Sequence, residues 1–412
     1  ARAWLGKTFD LKSAYRQIPT DSSIENRRFC IIAVYNPHTM RPQMHIQFAS
    51  PFGAVSSVYS FNRCARALWA AGAFHLRLCW CNYFDDYPIA EPRATSQGCT
   101  IAVRALCALL GWNLSLELEK DKPFDVSCPA LGIIADLSQL PEGVAVFSNK
   151  PERIEAIEQL ADSILSKGRC PSVVMAELRG KSQYAANQTF GRIAAGPLHI
   201  MSEHQFRCRS GILDSETADA IRDIVTIVKH APPRSLSCRG EMRPILVYTD
   251  GACEGIDRDQ VTIGAVIIDS ADLQNSVMWG GAVPEPLVRL WKQQGQVQVI
   301  GQAELLPTLM VRRACDKWFR HRRVVFFIDN DSARQALIRG FSPSCSSMNI
   351  VRLMVKAETE CQVWTWYARV PTHSNPADDP SRLVFQTSAH NGFAKHILMP
   401  PIPIELFGER PL

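Results

Sequence analysis

The chain has 412 residues, enough for two or three domains that each bury a core. Hydrophobic residues make up 46% of it and charged residues 21%, which excludes a disordered chain, and a net charge of +5 permits a polyanionic partner without demanding one. The 14 cysteines include no Cys-x-x-Cys and no zinc spacing, so they read as reduced thiols of an intracellular protein; no apolar stretch is long enough for a membrane span and no signal peptide is recognisable.

Residues 1–148 read as strand-rich with intervening helices. A short apolar strand ends at Asp10, within Phe9-Asp10-Leu11-Lys12-Ser13-Ala14-Tyr15. Ala54 to Phe74 reads as a helix, with Phe61, Ala65, Leu68, Trp69 and Gly72 on one face at helical spacing. Pro51-Phe52-Gly53 precedes it. Asn82-Tyr83-Phe84-Asp85-Asp86-Tyr87 follows an apolar run and reads as a hairpin tip. A second helix is expected over Ser96 to Gly111, then strands over 131–135 and 144–147 around a Pro-Glu-Gly turn.

Residues 149–231 turn helical. Pro151, Glu152 and Glu155 mark a helix start, and Lys167 with Gly168 marks its end. Further helices are expected over about 172–188 and 215–229. Segment 232–243 reads as a linker, 244–385 as an alternation of strands and helices, and 386–412, with four prolines, as an irregular tail. The fold class is therefore α/β and α+β, multidomain.

Two sets of acids carry chemistry. Asp10 at a strand end and Asp85-Asp86 at a hairpin tip would converge if their strands are neighbours. Hard divalent cations such as Mg²⁺ favour such oxygens, and two of them can clamp a phosphoryl transfer. Downstream, Asp250 ends a strand, Glu304 opens a helix running to about Trp318, and Asp329 ends the apolar strand 324–328. Asp378 follows in Pro371-Thr372-His373-Ser374-Asn375-Pro376-Ala377-Asp378-Asp379. Taken singly, each of these acids also fits a helix cap or a solvated turn.

The first set, with Phe-Asp-Leu-Lys-Ser-Ala-Tyr-Arg-Gln, Ser-Pro-Phe-Gly and Tyr-Phe-Asp-Asp in this order, resembles the palm motifs of reverse transcriptases. The look is that of retrotransposons, of the long-terminal-repeat or tyrosine-recombinase type, and of pararetroviruses. The resemblance implies Asp10, Asp85 and Asp86 as metal ligands and Tyr15 as a gate against ribonucleotides. Phe52 and Gly53 would pack on the nascent base pair, and Tyr83 would take part in nucleotide or primer binding. Lys120 or Lys122 would stand near the triphosphate, Leu131-Gly132 would grip the primer, and 149–200 would form a helical thumb. Only nine residues precede Asp10 here, so the palm is expected to be partial, its fingers missing, in a fragment or processed piece.

The second set resembles a ribonuclease H domain over about 244–385, which implies an α/β fold on a mixed five-stranded sheet. Asp250, Glu304, Asp329 and Asp378 would bind two Mg²⁺ (Mn²⁺ is possible), with Asp379 the alternative fourth ligand. His373 would assist product release or proton transfer. The implied partners are an RNA template, a DNA primer, RNA–DNA hybrid and dNTPs, with no membrane. Arg312, Arg313, Lys317, Arg320, Arg322 and Arg323 read either as a solvated face or as phosphate contacts. Trp364, Trp366 and Tyr367 read mainly as core. The activities that follow are RNA-directed DNA polymerase with ribonuclease H, ribonuclease H alone, or a catalytically dead nucleic-acid binder.

Overall fold

A computed structural model describes residues 3–20, 23, 25, 30–238, 243–255, 260–293, 298–319, 322–385 and 394–407. The chain forms two compact units: residues 1–150 with 236–239, and residues 151–235 with 240–412. No helix among the described residues is long and apolar enough to cross a membrane.

In the first unit β1 (Trp4–Asp10) pairs antiparallel with β4 (Asp86–Pro92), and Asp10 stands opposite Asp86. Between them in sequence lie the hairpin β2 (Ile31–Asn36) and β3 (Arg41–Ile46), and helix α1 (Val55–His75). The helix α1 buries Phe61, Ala65, Leu68 and Gly72, as the spacing predicts, while Trp69 is half-buried. Gly72 is needed by contact: a Cβ there would lie 2.2 Å from the Trp80 ring. The indoles of Trp69 and Trp80 each donate to the other's carbonyl, at 2.9 and 3.0 Å, and Tyr87 donates to Ala65 at 3.0 Å. These three bonds fix the Asp85-Asp86 hairpin to α1. The helix α2 (Ser96–Leu109) follows, then β5 (Ser127–Ala130), β6 (Ile133–Asp136) and β7 (Val144–Asn149).

The second unit begins with four helices: α3 (Pro151–Lys167), α4 (Ser172–Ala186), α5 (Ala195–Arg207) and α6 (Ser215–His230). The helix α5 was not expected, because Gly196 and Pro197 sit in its first turn and mask the period. The expected linker holds a strand, β8 (Arg234–Ser237). Residues 239–242 of that segment lie outside the described residues.

A mixed sheet follows, built from β9 (Ile245–Glu254), β10 (Gln260–Asp269), β11 (Val277–Ala282), β12 (Val324–Ile328), β13 (Thr365–Arg369) and β14 (Lys395–His396), ordered β13-β12-β9-β10-β11-β14. It has six strands rather than five. The sixth is two residues long and pairs parallel to β11, too short to leave a period in the sequence. The helices are α7 (Glu285–Gln293), α8 (Ile300–Ala314), α9 (Asp316–Phe319), α10 (Asp331–Arg339), α11 (Cys345–Cys361) and α12 (Asp378–Ser381). Two strands, β10 and β11, and the helix α7 separate Asp250 from Glu304. The helix carrying Glu304 starts earlier than expected and breaks at Cys315. One sheet face packs Ile245, Val247, Ile263 and Trp279 against Leu305, Leu309 and Val351. Of the expected irregular tail, 394–407 is described: it adds β14 and a 3-10 turn at Ile404–Phe407 that buries Leu406. Residues 386–393 and 408–412 lie outside the description.

Two side-chain readings change. Three of the six residues of the basic run are taken up by structure: Arg312 is fully buried and donates to the Ala357 carbonyl at 3.3 Å. Arg313 forms a fork on Glu405 at 3.1 and 2.9 Å, and Arg322 a fork on Asp269 at 2.7 Å for each arm. Lys317 is exposed, and Arg320 lies outside the described residues. On β13 only Tyr367 is core. Trp366 points the other way and is 70% exposed, as alternation on an edge strand requires.

Candidate metal centre

Thr249 and Asp250 lie within β9, one strand of the pair on which the second unit's site is built. Gly251 follows, and it has to be glycine: a Cβ there would sit 2.5 Å from the Ala303 carbonyl carbon of α8. That close approach lays α8 against β9 and brings Glu304 to Asp250. Asp329 follows the last residue of β12, which is parallel to β9. The ligand oxygens of Asp250, Glu304 and Asp329 all lie within 4.8 Å of one another.

Glu304 and Asp250, both buried in this cluster, resist ionisation. Burial, then the Asp250 and Asp329 charges, pushes the Glu304 carboxyl up to about 10. Burial likewise lifts Asp250 to about 6, although a hydrogen bond from Ser381 opposes the shift. Glu304 Oε2 and Asp329 Oδ1 are buried with no hydrogen-bond partner among the described residues. An orphaned carboxylate oxygen is costly, and two of them aimed into one acid cluster suit a hard divalent cation. The donor set therefore fits Mg²⁺ or Mn²⁺.

The fourth acid arrives on α12. Asp250, Gly264 and Gly280 are direct cross-strand partners on β9, β10 and β11, so one row of the sheet carries almost no side chain. A Cβ at Gly264 would lie 2.3 Å from the Ser381 amide nitrogen, and Gly280 meets Pro380 as closely. The helix α12 rests directly on those glycines. From there Ser381, fully buried, donates its hydroxyl to Asp250. Buried Asn375 donates to the Thr249 carbonyl at 3.1 Å and accepts from the Ala377 amide at 3.2 Å, tying the preceding loop to β9. Asp378 adds its charge to the field on Asp250 but stands outside the close trio, ion-paired with Arg382 at 3.1 Å. Asp379 is half-buried on the same short helix. His373 is exposed on the 3-10 turn Thr372–Ser374 and bonds to none of the acids. Ser381, Arg382, Gly264 and Gly280 carry no signal as single residues; glycines inside two otherwise apolar strands were the available hint of a close approach.

In the first unit the hairpin closes by paired bonds between Tyr83 and Asp86, at 2.9 and 3.0 Å, with Phe84 left-handed at φ 52°. Leu11 donates its amide to the Asp85 carbonyl at 3.1 Å, so all three acids meet at one end of the β1–β4 pair. Their oxygens do not form a close cluster like that of the second unit. One Asp10 oxygen is held instead by Lys120, at 2.8 Å. Burial, then the charges of Asp85 and Asp10, raises the Asp86 carboxyl, and Lys120 opposes that shift. Of the two candidate lysines, Lys120 is the one that reaches an acid; Lys122 is exposed.

Tyr15 packs edge-on against Phe52 at 5.0 Å and tilted against Phe61 at 4.8 Å. Phe52 is exposed, as is Tyr83. Gly53 has φ +88°, which demands glycine, and open space around it. Leu131 and Gly132 are both left-handed, at φ 50° and 79°, and form the two-residue turn between β5 and β6. Beside Tyr15, residues Arg16, Gln17, Ile32, Ile46 and Phe48 line an open cleft of about 700 Å³.

No protein-family model matches the chain, and no curated protein matches it. Among solved structures, a foamy viral protease-reverse transcriptase, in a form designated dRH and in complex with double-stranded DNA, is 15% identical over 90% of this chain, with a TM-score of 0.46. The chain spans 58% of that structure's length. The foamy viral protease-reverse transcriptase with dsDNA gives 13% identity, 89% and 68% coverage and a TM-score of 0.46. With an RNA/DNA hybrid the values are 10%, 93%, 67% and 0.41. Likeness at this level decides nothing about activity, and what this chain can do follows from its own side chains.

Proposed function

We propose that the second unit is a divalent-cation-dependent nuclease that hydrolyses the RNA strand of an RNA–DNA hybrid. The observation that carries this reading is the convergence of Asp250, Glu304 and Asp329, with two buried oxygens left without partners. These three, joined by Asp378, would hold the cations. A bound Mg²⁺ pair would supply an activated water and a sink for charge on the departing 3′-oxygen. The chain's own residues do the positioning. Ser381 sets the Asp250 carboxylate, the glycine-bedded α8 sets Glu304, and Asn375 ties the Asp378 loop to β9. His373, exposed in that loop, would assist product release or proton transfer. The order and contexts of the four acids, which resemble those of ribonuclease H, support the hybrid as substrate.

The first unit is read as a reverse-transcriptase palm. Asp10, Asp85 and Asp86 would hold Mg²⁺, Tyr15, Phe52 and Gly53 would contact the nucleotide, and Leu131-Gly132 the primer on its RNA template. One observation favours nuclease activity without polymerisation: the oxygens of Asp10, Asp85 and Asp86 do not gather into a close group like that of Asp250, Glu304 and Asp329. A hybrid labelled separately on each strand, with a primed RNA template alongside, tests both readings. Mg²⁺-dependent shortening of the RNA strand alone is expected; a cut DNA strand, or no cut, would remove the nuclease reading. Extension of the primer by dNTPs would establish the palm as active.

A further inference from the structure

Two further acids, Asp378 on α12 and Glu254 at the end of β9, are answered by a single guanidinium. Arg382 follows α12, with Nε 3.1 Å from Asp378 and Nη1 3.5 Å from Glu254. The neighbouring Ser381 is fully buried and bonded to Asp250, and its backbone rests on Gly264. Arg382 therefore starts from a fixed point, while its own side chain is 51% exposed. Among the described residues Glu304 and Asp329, by contrast, have no cationic partner, and each keeps an orphaned oxygen. The trio is open and the fourth acid is occupied.

We propose that Arg382 is a placeholder cation. It neutralises Asp378 while no divalent ion is bound and yields that carboxylate when one arrives. The inference rests on the reading that these acids hold a divalent cation. Half-exposed ion pairs are weak, worth a factor of about two to five in an equilibrium, so the exchange costs little. Arg382 acts through Asp378 and is a positioning residue: it lowers the repulsion among the empty carboxylates at the expense of some cation affinity. A guanidinium on a flexible stem can swing clear of the site, whereas Ser381 cannot.

Calorimetric titration of the full chain with Mn²⁺ tests this, read as the heat that D329N removes, with melting in EDTA as a check that each variant folds. R382Q is expected to bind Mn²⁺ about two- to fivefold more tightly, and R382K to bind like the wild type. In a D378N background the same Arg382→Gln change should shift affinity much less, because the acid it competes for is gone. Unchanged or weaker binding by R382Q, or an equal gain in D378N, would overturn the placeholder role. If D329N removes no heat at all, the cation reading fails first and the placeholder falls with it.

Discussion

Replacing Glu304 by Gln should stabilise the protein in the absence of divalent cations. The carboxyl is 5% exposed and pushed up to about 10 from an ordinary 4.5, so the folded state keeps its proton at pH 7.5 while an unfolded chain gives it up. The sign follows: a raised value means stability that is whole below about pH 4.5 and is lost as pH climbs toward the folded value. Over the ~3 units from 4.5 to 7.5 the loss has a ceiling of about 4 kcal/mol, and relaxation around Asp329 would trim it to about 2–4. Glutamine cannot ionise, and its amide can donate to Asp250 or Asp329. Urea unfolding in EDTA between pH 5 and 9, followed through buried Trp279 and Trp291, should show E304Q more stable at pH 8 and equal to wild type near pH 5. Added Mg²⁺ should then raise the wild type and leave the variant where it was. An E304Q protein less stable than wild type at pH 8 in EDTA, or a wild type whose stability does not fall from pH 5 to 8, would refute the reasoning.

Gly264→Ala should push α12 off the sheet and cost about 1–3 kcal/mol, with amide exchange at 378–382 speeding up; melting like wild type would mean α12 does not rest there. Arg192→Met strips the guanidinium from Glu358, which is 3% exposed and keeps only Tyr367 at 2.5 Å, so thermal unfolding should show a loss of about 3–5 kcal/mol. Gly53→Ala meets open space but a left-handed backbone, and should cost about 1 kcal/mol in urea unfolding; no cost would mean that φ is not held.

Where chemistry sits in a strong local pattern, the sequence was readable. Asp329, just past the apolar strand β12, and the α1 face through Phe61, Ala65 and Leu68 lie where period and strand ends place them, whereas Asp250, expected at a strand end, stands inside β9, which runs on to Glu254. What was not readable depends on contacts between distant segments. The bare row Asp250–Gly264–Gly280 exists only once three strands pair, and it alone brings Ser381 and Arg382 to the acids. The charges of Arg312, Arg313 and Arg322 suggest solvent or phosphate until Ala357, Glu405 and Asp269 meet them in space. A tryptophan such as Trp366 reads as core from its type, but only sheet topology puts it on an outward-facing edge. In the first unit, the strand ends predicted the meeting of Asp10 with Asp86, while the ion pair that Lys120 makes there was left between two lysines.

The most direct test is cleavage of an end-labelled RNA–DNA hybrid by wild type and Asp329→Asn side by side, with Mg²⁺ and with EDTA. Asn at 329 keeps the shape but removes the charge from the oxygen that stands buried without a partner. Cleavage of the RNA strand by the wild type in Mg²⁺ alone, lost in the variant, is the predicted result. Cleavage that survives in Asp329→Asn, or that proceeds in EDTA, would contradict it.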